Sequence, residues 1–260
     1  MYVRPISSAN KFTPTRRNLM TLDSPLLTSK KIMIPSILLG TANIPNNGGE
    51  LRLTQHENDF SIHLKGVRGE LMNSRKHCSE RALAELGCAH IPGMENAKVL
   101  VGGLGMGFTL AAALEASSMS SQVVVAELVP EVIEWNKGPL GECAGRPLND
   151  NRVQVHLGDV AELFITRQAT YDAILLDVDN GPEGFTQADN NNLYSLESLT
   201  AIWQTLRTGG VLAIWSAWHD EKFSAQLKKA RFKVDTKTVR AHKGKGSRHT
   251  IYLARKIIVS

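Results

Sequence analysis

Lys98-Val99-Leu100-Val101-Gly102-Gly103-Leu104-Gly105-Met106-Gly107-Phe108 decides the fold. A short apolar run leads into a glycine cluster, and an alanine-rich helical pattern follows from Thr109 to Ser117. Strand, glycine loop and helix in that order make a turn whose backbone a nucleotide-like ligand can approach closely. The spacing is Gly103-x-Gly105-x-Gly107, without the third glycine of the dinucleotide fingerprint, since position 108 is Phe. Glu127 ends the run Gln122-Val123-Val124-Val125-Ala126-Glu127, 22 positions after Gly105. An acid about 20 residues downstream, at the tip of the second strand, is placed to accept hydrogen bonds from ribose hydroxyls.

Beyond Lys98, strand and helix patterns alternate, which predicts a parallel sheet with helices on both faces. Strands are expected near 98–103, 122–127, 153–157, 171–177, 210–216, 232–240 and 249–255, with helices near 107–117, 130–137, 160–167, 193–206 and 220–230. Thr208-Gly209-Gly210 reads as a helix stop. The polar stretch Ala241 to Arg248 reads as a loop joining an antiparallel hairpin at the sheet edge. The fold class is therefore α/β, a Rossmann-like seven-stranded, mostly parallel sheet closed by a C-terminal antiparallel hairpin. Four features fall at successive strand ends, where open α/β sheets bind ligands. They are the glycine loop, Glu127, Gly158-Asp159, and Asp177-Val178-Asp179-Asn180-Gly181-Pro182. Asp159 alone has a second reading, as the N-cap of the helix that follows it.

Upstream, Leu51, Leu53, Phe60, Ile62, Leu64, Val67 and Leu71 follow a shortened alternation, which predicts two or three antiparallel strands between Glu50 and Met72. Ser79 to Leu86 reads as a helix. The expected organisation is a disordered tail over 1–31, a small segment of β-hairpin and helix over 32–92, and a Rossmann domain over 93–260. A transit-like segment, or an over-long start upstream of Met33, are alternatives for the tail.

The chain has 260 residues, with 42% hydrophobic and 21% charged, as in an ordinary globular protein. No apolar run approaches the ~20 residues of a membrane span. Three cysteines without metal-type spacing suggest reduced thiols in a cytoplasmic setting, and no metal site is expected. The net charge of +5 hides an asymmetry. Residues 32–221 carry 12 basic and 23 acidic side chains, whereas 222–260 carry 12 basic and one acidic. Arg240 to His249 concentrates four Lys/Arg, two histidines and two glycines, either as a solvated hairpin loop or as a contact for an anionic substrate such as nucleic acid phosphates.

The glycine loop, Glu127, Gly158-Asp159 and Tyr171-Asp172-Ala173-Ile174-Leu175-Leu176-Asp177 resemble the class I S-adenosylmethionine-dependent transferase fold. With Ser79-Glu80-Arg81-Ala82-Leu83 and the N-terminal strands, residues 50–256 are similar to the spermidine synthase (polyamine aminopropyltransferase) family. The resemblance implies S-adenosylmethionine, or its decarboxylated form, as cofactor. It implies that Gly103 and Gly105 admit the cofactor's amino-acid or amine portion, that Glu127 binds the ribose, and that Asp159 accepts the adenine amino group. Asp177 would lie beside the sulfonium carbon and take a proton from the attacking nucleophile. Glu80, Asp179 and Trp215 are candidate contacts for a small-molecule substrate, with Trp215 read alternatively as core. Dimers through the N-terminal strands are a further implication.

Three departures from the family pattern bear on the reaction. Gly105 stands where the family has an aspartate that grips the aminopropyl ammonium. Asn180 stands where a second aspartate holds the polyamine, with Asp179 one position early. Cys78-Ser79-Glu80 replaces Tyr-Gln-Glu in the amine channel. A site for a polycation must offset the desolvation of its ammonium groups with paired carboxylates. The expected activity is therefore methyl transfer to a nucleophile, with aminopropyl transfer as the alternative. A non-catalytic nucleotide- or nucleic-acid-binding module is a third reading.

Overall fold

The computed structural model describes residues 35–91, 93–177, 193–242 and 245–257. Two sheets organise them. The first contains β1 (Ile37–Ile44), β2 (Gly49–His56), β3 (Asp59–Leu64) and β4 (Met72–Asn73), antiparallel in sequence order. Helix α1 (Cys78–Gly87) leads to the second sheet. There β5 (Lys98–Gly102), β6 (Gln122–Glu127), β7 (Val153–Leu157), β8 (Tyr171–Leu176), β9 (Leu206–Ser216), β10 (Phe232–His242) and β11 (Lys245–Lys256) lie in the order β10-β11-β9-β8-β5-β6-β7. The intervening helices are α2 (Phe108–Ala116), α3 (Pro130–Lys137), α4 (Val160–Thr166), α5 (Leu196–Thr205) and α6 (Glu221–Lys229).

The central strands are apolar on both faces, as a sheet covered on two sides requires. Alternate residues of β5 enter separate cores. Val99 and Val101 pack with Leu83 and Leu110 of α1 and α2, and Leu100 packs with Leu163, Leu199 and Leu227 of α4, α5 and α6. Strand order reverses between β5 and β8, which both pair in parallel, so a crevice opens at their carboxyl ends.

Three expectations need correction. β1 precedes the stretch expected to form the N-terminal strands. Its Ile37, Leu38 and Leu39 are all exposed and only Ala42 is buried, so it carries no alternation. The helix α5 stops at Thr205, ahead of Gly209-Gly210, because the fully buried Leu206 already pairs with Tyr171. The glycine pair instead falls in a register shift of β9, with Gly209 at φ +80°. The strands reach further into the expected loop than Ala241 to Arg248 allowed: pairing continues to His242↔Lys245, with Arg240 opposite Arg248. The hairpin forms as expected, but β11 inserts between β9 and β10, antiparallel to both, and β10 is the edge. Among the described residues no helix is long and apolar enough to cross a membrane.

Candidate active site

The glycine loop turns sharply because three of its glycines occupy left-handed backbone. Gly103 has φ +87°, Gly105 +50° and Gly107 +84°. A Cβ on Gly105 would lie 3.1 Å from Met72 Sδ, so the N-terminal sheet comes down directly on the loop. Buried Asn136 of α3 fixes the loop from beneath, donating from Nδ2 to the carbonyls of Gly105 (2.8 Å) and Val132 (2.9 Å).

Glu127 leaves the end of β6 and lies under the same loop. Its Oε2 accepts from Leu104 N at 3.0 Å, and its Oε1 accepts from Val129 N at 2.9 Å. Burial pushes its carboxyl above the ordinary carboxylate range, while the amides of Val129, Leu104, Gly105 and Leu128 pull it back. Asp159 is exposed and caps α4, accepting from Ala161 N at 2.9 Å. Capping does not exhaust it, because it also faces a cavity.

That cavity, about 540 Å³, runs beneath the N-terminal sheet along the carboxyl ends of β5 and β6, lined by Gly103, Gly105, Glu127, Asp159 and Asp177 among others. A second cavity of about 220 Å³ adjoins it, lined by Glu80, Phe108, Asp177, Trp215 and His249 among others. Leu71, Met72, Gly105 and Asp177 line both, and so form the passage between them. Asp177 is held there from two sides. Its backbone N donates to Gly102 O at 2.9 Å, and Thr109 Oγ1 donates to its Oδ2 at 2.6 Å.

Glu80, on the first turn of α1, accepts from Ser79 Oγ at 2.7 Å. Burial drives its carboxyl upward against that hydrogen bond. Trp215 from β9 lies with His249 of β11 at 4.6 Å between ring centroids, tilted by 33°. Burial lowers the affinity of His249 for a proton.

The structure thus brings Gly103, Gly105, Glu127, Asp159, Asp177, Glu80 and Trp215 onto two adjoining cavities. Asp179 lies outside the described residues. Sequence reasoning passed over Met72, Phe108, Thr109 and Asn136. Thr109 did leave a signal, as the one hydroxyl in an otherwise apolar first turn of an alanine-rich helix. Arg75 is spent on Asp59 and Glu70. Ser247 and His249 carry the hairpin into the smaller cavity, while Arg240 Nη1 donates to Gly246 O at 3.4 Å. No group of three His, Cys, Asp or Glu suited to a metal ion occurs among the described residues.

Residues 77–238 match the Spermine/spermidine synthase domain. The chain belongs to this family. It is accordingly a transferase. The fold is similar to that of spermidine synthase from Thermotoga maritima, at TM-score 0.66 and 16% identity over 85% of this chain and 74% of that one. A spermidine synthase solved in complex with the transition state analogue AdoDATO gives 0.65 and 16%, over 85% and 73%. A probable spermidine synthase from Corynebacterium glutamicum gives 0.60 and 13%, over 87% and 82%. At these identities the likeness is one of fold. A search of curated proteins returned no match.

Proposed function

We propose that this family member transfers a methyl group from S-adenosylmethionine to a small nucleophile. The observation that carries the proposal is the passage at Gly105. Its left-handed glycine presents no carboxylate to the larger cavity, and the thioether of Met72 covers the space beside it. Gly105 offers an aminopropyl ammonium no carboxylate of its own, whereas the α-carboxylate of the full cofactor meets only backbone there.

In this reading Glu127 takes the ribose hydroxyls and exchanges part of its hold on the Leu104 amide for them. Asp159 accepts the adenine amino group while its other oxygen keeps the helix cap. The donor methyl then lies at the passage, facing the smaller cavity. There the acceptor's nucleophilic atom attacks the methyl carbon, the carbon–sulfur bond breaks, and its electron pair stays on sulfur as the thioether. Asp177, oriented by Thr109, takes the acceptor's proton. Ile44, Leu51, Ile62, Leu71 and Met72 roof the donor cavity, and Gly103, Glu127, Asp159 and Asp177 line it from the Rossmann-like sheet.

Aminopropyl transfer is the second reading. Family membership and the closeness of two acids, Glu80 and Asp177, on the smaller cavity favour it. The AdoDATO complex of a structurally similar spermidine synthase is consistent with a sulfonium-type ligand under either reading. Product identity separates them. S-adenosylmethionine should yield S-adenosylhomocysteine with a suitable acceptor. Release of 5′-methylthioadenosine from the decarboxylated donor and putrescine would overturn methyl transfer in favour of the second reading.

A further inference from the structure

The smaller cavity has walls of a different character from those a chain of ammonium groups needs. Phe108 lines it on the side of the glycine loop, and His77 stacks behind that ring at 4.5 Å and 20°, fixing its orientation. Trp215 and His249 line it from β9 and β11. The space, about 220 Å³, lies below the range of about 300–1,000 Å³ usual for drug-sized ligands and suits one or two fused rings.

Each acid on these walls is hydrogen-bonded within the protein, Glu80 accepting from Ser79 Oγ and Asp177 from Thr109 Oγ1. Glu70 is held by Arg75, Ser61 and Asn73. Lys76 brings a positive charge to the same wall. Asp177 is the carboxylate at the passage itself, with Glu80 on the wall beyond it.

We infer that the acceptor is a planar, uncharged nitrogen heteroaromatic of one or two rings, carrying a ring N–H toward Asp177 and lying against the aromatic lining of the smaller cavity. The inference rests on the methyl-transfer reading and names the substrate class for it. A flat ring suits a cavity lined by the aromatic side chains of Phe108, Trp215 and His249, where aromatic contact contributes beyond simple burial. In the transfer, the ring nitrogen forms the N–CH3 bond, the S–CH3 pair returns to sulfur, and the N–H proton goes to Asp177.

The test uses the full chain loaded with S-adenosylhomocysteine and titrated calorimetrically with xanthine, lumazine, 4-quinolone and, separately, putrescine. At least one ring compound should bind, with putrescine silent. Trp215→Leu should weaken that ring compound about tenfold while leaving S-adenosylhomocysteine affinity intact, which also shows that the variant is folded. His249→Ala, on a partly exposed side chain, supplies the same test if Trp215→Leu does not fold. Binding of S-adenosylhomocysteine with no ring compound taken up overturns the substrate class and leaves methyl transfer standing. Unchanged affinity in both variants, or putrescine binding in place of the rings, overturns it as well. Failure of S-adenosylhomocysteine itself to bind refutes the cofactor reading instead, and ring binding to the unloaded protein then still decides whether the cavity takes this class.

Discussion

Asp177 sits where the two cavities meet, and its role is separable from theirs. Asp177→Asn keeps the backbone bond to Gly102 and the shape of the passage but removes the proton acceptor. Methyl transfer should fall by about 10²–10⁴-fold in kcat while S-adenosylhomocysteine affinity stays within a few-fold. Steady-state kinetics beside calorimetry reads both, and a large affinity loss with unchanged kcat would contradict the assignment. Glu80 gives a prediction in pH. Burial raises its pKa, so its contribution to stability is complete below the ordinary value of 4.5 and is lost as pH rises through the raised value. Glu80→Gln stays uncharged throughout. It should melt higher than the parent protein near neutral pH, and the gap should close as the pH falls toward 4.5. A gap independent of pH, or of the opposite sign, would show that Glu80 is not a desolvated acid. At this scale Glu127, Asp159 and Asp177 were legible because each ends a strand, and strand ends can be read from apolar runs. Met72 was not, because its importance comes from a sheet-to-loop approach across more than thirty positions that no local pattern encodes.

Among the elements, the glycine loop and α2 separate binding from stability. Gly107 precedes α2 at φ +84°, and a Cβ there would meet Asn136 Oδ1 at 3.0 Å and Pro147 Cγ at 3.2 Å. Gly107→Ala should cost about 1–2 kcal/mol or more through left-handed strain, visible as a lower denaturation midpoint. An unchanged midpoint would mean that the loop relaxes freely. The parallel strands were legible because burial on both faces makes them continuous apolar runs. β1 was not, since its large apolar residues face outward and a strand at the edge of a one-sided sheet carries little pattern. The hairpin was placed correctly, but the basic residues within it were mistaken for a loop. On a strand whose outer face is exposed, charges at alternate positions look like loop composition. Arg240 and Arg248 in fact oppose each other across the ladder.

At the scale of the molecule, the N-terminal sheet and the Rossmann-like sheet enclose the larger cavity together, so its occupancy should couple to global stability. With ligand at 100 times its Kd, S-adenosylhomocysteine should add about 2.7 kcal/mol. For a chain of this length that is roughly 5–10 °C in Tm. Glu127→Ala should abolish most of the shift, and an undiminished shift would place the ribose elsewhere. The parallel sheet with its strand-end crevice was legible from the alternation of elements, whereas the strand order was not. The second cavity was not, because it is assembled from α1, the glycine loop and two distant C-terminal strands. Methyl transfer requires the passage at Gly105 to accept the full sulfonium cofactor. Calorimetric titration of the purified chain with S-adenosylmethionine and, in parallel, with its decarboxylated form tests it most directly. Tighter binding of the full cofactor is the predicted result, and tighter binding of the decarboxylated form, or of neither, would contradict it.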